Sequence, residues 1–156
     1  MLRSSRWADR RDDDGDRGSA ALEFILVGLL LLVPVIYLTV ALGLIQGQSM
    51  GVESAARHVA RAVAQSPGGD DARASADRVL RSVIDEYDLD PAAVDLALSC
   101  RPQGAACPQS GATLIVTVRT RVALPLVPPV LGLDRIASIP VESSSAQKVS
   151  RFWGAE

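Results

Sequence analysis

Histidine is nearly missing from this chain, and with it most familiar catalytic chemistry. His58 is the only one in 156 residues. No acidic or cysteine residue stands beside it, so it reads as a solvated or packed side chain and not as a ligand. A triad lacks its base, no glycine-rich phosphate loop follows a strand, and the acids cluster without a nucleophile beside them. The two cysteines, Cys100 and Cys107, are too few for a metal site without histidine support. No enzyme, no metal and no cofactor is expected. The net charge of −2 removes the electrostatic case for nucleic acid or a polybasic membrane contact. Lysine occurs once, at Lys148, so nearly every cation is arginine. Aromatics make up only 4% of the chain, and any core must be built from Val, Leu, Ile and Ala.

What the chain has instead is one long apolar run. From Phe24 to Ile45 there are 22 residues without a charge. As a helix this run is roughly 33 Å long, enough to cross a bilayer. It exceeds the core of a secretory signal peptide, and the nearest Ala-x-Ala triplets, Ala60 to Ala62 and Ala62 to Ala64, lie well beyond it. The segment is therefore expected to be retained. Arg10-Arg11 is followed by three aspartates where a twin-arginine signal requires apolar residues.

Orientation follows from the cations. Arg3, Arg6, Arg10, Arg11 and Arg17 precede the run, against Arg57 and Arg61 in the twenty residues after it. The expected topology is single-pass in a bacterial cytoplasmic membrane, with the N-terminus inside. The expected divisions are a leader over 1–18, a transmembrane helix over 19–46 and an extracytoplasmic α+β domain over 47–156.

One acid, Glu23, stands at the threshold of the apolar run, next to Phe24. The stretch Gly18-Ser19-Ala20-Ala21-Leu22-Glu23-Phe24 follows a hydrophilic leader that balances five arginines against five aspartates and reads as disordered. This arrangement resembles the class III signal of type IV pilin-like proteins, specifically the TadE-like minor pilins and pseudopilins of tight-adherence pili. The resemblance implies that a prepilin peptidase cuts between Gly18 and Ser19 and leaves the apolar helix on the mature chain. It also implies that Glu23 sets the axial register of one helix against the next. The physics is compatible: a cut creates an α-amino group on Ser19, and a charge at the edge of hydrocarbon needs a partner. Implied partners are the peptidase, the lipid bilayer, and other pilins or pilus-assembly membrane proteins in homo- or hetero-oligomers, with possible incorporation into an extracellular pilus.

Beyond the run, the sequence predicts an α+β fold. Pro34 should bend the first helix. Gly43, Gly47, Gly51 and Ala55 form a small-residue stripe that permits close helix packing, although the same glycines could simply loosen the membrane juncture. The helix should continue as an amphipathic stem, with Val52, Ala55, Ala56, Val59, Ala60 and Val63 on one face, until Pro67-Gly68-Gly69. A second helix over 71–87, capped by Asp70 or Asp71, presents Ala72, Ala76, Val79, Leu80, Val83, Ile84 and Tyr87.

A small antiparallel sheet should follow. Residues 93–100 alternate Val94, Leu96 and Leu98 against polar positions, residues 112–124 repeat the pattern with Leu114, Val116 and Val118, and a third strand runs from Ile136 to about Val149. A Cys100–Cys107 disulfide would pin the base of the first hairpin; two free thiols are the other reading, and a metal site is disfavoured because no histidine stands nearby. The segment Leu124 to Arg135 holds Pro125, Pro128 and Pro129, which forbids a central strand and marks a surface connection able to dock on a partner or the membrane. Phe152-Trp153 could pack back on the sheet. The alternative to a pilus component is an uncleaved, signal-anchored binding module of the cell envelope.

Overall fold

In the computed structural model, residues 15–103, 107–127, 132 and 136–154 are described. The fold is α+β, with elements in the order α1 (Gly15–Gln65), α2 (Gly69–Tyr87), β1 (Asp95–Arg101), β2 (Thr113–Ala123) and β3 (Ser138–Lys148). Two compact units share this chain, dividing between Thr39 and Val40. Most of the leader, 1–14, and residues 128–131 and 133–135 of the proline-rich connection lie outside the described residues.

The first unit contributes the apolar part of α1. Its large side chains face outward all round: Phe24 is 80% exposed, Leu30 71% and Ile36 53%. A helix apolar on every side has no polar face to give to water, which is the pattern of a helix surrounded by hydrocarbon. By length and composition, α1 is able to cross a membrane. It runs on without interruption through Pro34.

The second unit forms around the stem of α1. Val52, Ala55, Ala56, Val59, Ala60 and Val63 are all buried, as their 3.6-residue spacing requires. Ser66, Pro67 and Gly68 separate α1 from α2, which returns alongside it as a helical hairpin. Gly68 is the N-cap and gives no side-chain cap hydrogen bond. This corrects the expectation of an aspartate cap. Asp70 and Asp71 lie instead in the first turn, where a negative charge complements the helix dipole. Ala72, Ala76 and Val83 are buried, with Val79, Leu80, Ile84 and Tyr87 packed beside them.

The sheet is a meander in the order β1-β2-β3, antiparallel throughout. Central β2 buries Leu114, Val116, Val118, Thr120 and Val122 on one face. Its other face meets solvent and is tied by polar cross-strand pairs. Arg119 donates to both carboxylate oxygens of Glu142, at 2.8 and 3.3 Å, and the hydroxyls of Thr117 and Ser144 lie 2.9 Å apart. The hydrogen bond to Glu142, with that carboxylate's charge, holds the Arg119 guanidinium above its usual pKa. Pro140 is tolerated in β3 because an edge strand need not donate on its outer side.

Leu98 departs from its alternation pattern: it is 40% exposed, although Leu114, Val116 and Val118 on the same side of β2 are fully buried. The cause is an open apolar groove of about 690 Å³ between α2 and edge strand β1, lined by Val63, Ala72, Ala76, Leu96, Leu98 and Trp153. The closing dipeptide also divides. Trp153 packs on the core, while Phe152 is 78% exposed.

Candidate processing and assembly site

The expected site residues occupy the start of α1. The Gly18–Ser19 bond lies inside the helix, which begins at Gly15. The last residues of the leader are thus helical, where an unstructured tag was expected. Glycine has poor helix propensity, so Gly15 and Gly18 keep this first turn easy to unwind.

Ser19 and Glu23 are both exposed and stand four residues apart. At that spacing two side chains occupy the same helix face, one turn apart. Phe24 and Leu22 flank the carboxylate at 80% and 70% exposure. Glu23 is in none of the ion pairs formed among the described residues. The chemistry on offer is recognition: one acid framed by hydrocarbon, with a backbone nitrogen one turn above it that a cut would convert to an amine.

The small-residue stripe splits into two halves. A Cβ at Gly43 or Gly47 would meet nothing within 4 Å. At Gly51 it would lie 2.7 Å from both Cβ and Cγ of Tyr87, and Ala55 one turn later is fully buried. Gly51 and Ala55 therefore serve the contact between α1 and α2. Gly43 and Gly47 stay open to any neighbour.

Cys100 and Cys107 are bonded, with Cα atoms 5.6 Å apart. Cys100 is buried at the end of β1, opposite Leu114 of β2. The bridge ties the end of β1 to the connection that leads to β2.

His58 is exposed on the stem. Among the described residues no group of three or more His, Cys, Asp or Glu could hold a metal ion. The groove beside β1 carries Arg73 and Asp77 on its rim and a tryptophan Nε1 without a hydrogen-bond partner, and no nucleophile paired with a base. One feature escaped the sequence reading: Tyr87 as the partner of Gly51, for which the only signal was its place on the apolar face of α2. The connection expected to run over the surface does expose apolar side chains at its described ends, with Leu126 88% and Ile136 81% exposed.

A family model for TadE-like proteins matches residues 18–61. The matched stretch begins at Gly18, includes Glu23 and the whole apolar run, and ends in the stem. No curated protein and no solved structure matches the chain.

Proposed function

We propose, taking the TadE-like segment at residues 18–61 as premise, that this chain is a structural component of a tight-adherence pilus or of the machinery that assembles one. In this reading it is a minor pilin or pseudopilin. A prepilin peptidase removes the leader after Gly18, and the mature chain begins at Ser19. The observation that carries the reading is the coincidence of the matched stretch with an acid at the edge of an apolar helix whose side chains are exposed all round.

The mechanism is one of assembly. The N-terminus stays in the cytoplasm, α1 spans the membrane once and the second unit lies outside. A protease needs extended backbone, so cleavage requires the first turn of α1 to open, which the two glycines favour. The new amine on Ser19 and the carboxylate of Glu23 then lie on one face of α1, about one turn apart. In hydrocarbon each charge is costly unless paired. An amine from one subunit meeting the Glu23 of another neutralises both and fixes the axial stagger of the two helices. Gly43 and Gly47 leave room for close approach of a neighbouring helix.

Determination of the mass and N-terminal residue of the protein from native membranes tests this directly. A chain beginning at Ser19 is expected. An intact leader would overturn processing and favour the uncleaved anchor that carries a binding domain.

A further inference from the structure

The second unit has two ends, and contacts identify each. At one end Gln48 Nε2 donates to the carbonyl of Asp88 at 3.4 Å, and Gly51 is pressed against Tyr87. The start of the stem therefore lies beside the end of α2. At the other end, Ser66 and Pro67 share a cleft with Ser150 and Trp153, so the end of the stem lies beside the residues that follow β3.

The strand register carries this polarity into the sheet. Thr113 pairs with Lys148, just before Ser150, so the start of β2 belongs to the far end. Asp95, which follows closely on the Asp88 turn, pairs with Arg119. Beyond that pair β2 runs on to Ala123, opposite Ser138. Those four residues are about 13 Å of strand. The β2–β3 connection thus emerges past the start of β1, on the side where α1 carries Val40, Leu42 and Leu44. From Gly51 back to Leu44 is about 10 Å of helix, a similar reach.

The connection is built in a way that water does not reward. Leu126 has φ of 65°, in the left-handed region that a branched side chain adopts under strain, and it is 88% exposed. Ile136, at the other end of the connection, is 81% exposed. Leu124, Pro125 and Val127, which flank Leu126, are apolar as well. On the same end of the unit, Val40 is 50%, Leu42 54% and Leu44 42% exposed. By the register above, the exposed Leu126 and Ile136 and the last turns of the apolar run lie toward the same end of the second unit.

We propose that Leu126 and Ile136, at the described ends of the β2–β3 connection, make a second membrane contact and enter the outer face of the same bilayer that α1 crosses. This rests on the reading of α1 as a membrane span. The contact would hold the second unit against the bilayer at a second point, which a lone span does not supply.

The test uses the full chain with its disulfide oxidised, in vesicles of phosphatidylethanolamine and phosphatidylglycerol. A nitroxide is placed at Leu126→Cys, with Leu32→Cys as the reference within the span and Lys148→Cys as the reference at the far end of the sheet. The readout is accessibility to oxygen, which concentrates in lipid, relative to a water-soluble nickel complex. The expected result is an oxygen-to-nickel ratio at Leu126 severalfold above that at Lys148 and approaching that at Leu32. A ratio at Leu126 equal to that at Lys148 overturns the loop contact while leaving the span intact. Exclusion of both reagents at Leu126 also overturns it, because protein then covers the loop. A water-exposed label at Leu32 removes the span itself and the proposal with it.

Discussion

Gly51 of α1 and Tyr87 of α2 approach so closely that a Cβ on the glycine would lie 2.7 Å from the tyrosine Cβ. Real Cβ atoms do not sit at that distance. The contact is backbone against the root of a side chain, which cannot swing away as a long tip can. It fixes where α2 crosses the stem, and with it the position of the Asp88 turn that leads into β1.

Gly51→Ala should therefore destabilise the second unit by about 1–3 kcal/mol, as overpacking outweighs the roughly 1 kcal/mol that alanine gains over glycine in a helix. Gly47→Ala, in open space, should stabilise by up to about 1 kcal/mol. Denaturant unfolding of the detergent-solubilised chain, followed by Trp153 fluorescence, compares the two. Equal effects at both glycines would mean that the helices do not cross at Gly51.

The stem and the buried face of α2 were readable because Val and Ala recur at the helical period and the core is made of little else. Strand β2 was readable for the same reason at a period of two. The glycine stripe was visible too, but its division was not: spacing shows that four positions share a face, and nothing in it shows which of them a second helix crosses. Leu98 alternates correctly and is still 40% exposed. Alternation names a face, whereas burial depends on whether another element closes over it, and at Leu98 of edge strand β1 the facing groove stays open. The cap of α2 went to Gly68 because the turn after α1 is so short that the helix begins ahead of the aspartates.

The Cys100–Cys107 bridge closes a loop of sequence separation 7. A ring of that size removes enough unfolded-chain entropy to stabilise by about 2–3 kcal/mol. Cys100→Ser should lower stability by that amount, and added reductant should lower the unchanged chain equally but leave the variant where it is. An unfolding midpoint indifferent to reductant would remove the bridge from the stability of this unit.

Thr120 faces the core from β2 at 3% exposure, and its hydroxyl has no hydrogen-bond partner. Valine has nearly the same branched shape and nothing to desolvate. Thr120→Val should stabilise by about 1 kcal/mol, because the penalty of an unpaired buried hydroxyl disappears while packing is retained. The unfolding midpoint should rise with an unchanged denaturant slope. A loss of stability instead would show that the hydroxyl finds a partner in solution.

In the proposed function, substitution of Glu23 separates insertion from assembly, since the two depend on different physics. Insertion follows from the apolar length of Phe24–Ile45, to which one acid at the edge contributes little. Assembly, in the pairing described above, needs the negative charge itself. Glu23→Gln keeps the size and hydrogen-bonding capacity of the side chain and removes only that charge, while Glu23→Ala removes all three. Both variants should fractionate with membranes as the parent does, and both should fail to enter pilus assemblies or complexes, measured by crosslinking and by recovery from sheared filaments. If glutamine restores incorporation where alanine does not, hydrogen bonding or packing holds the register. Normal incorporation of both would leave the helices to find their stagger through shape, with Gly43 and Gly47 as the positions to substitute next.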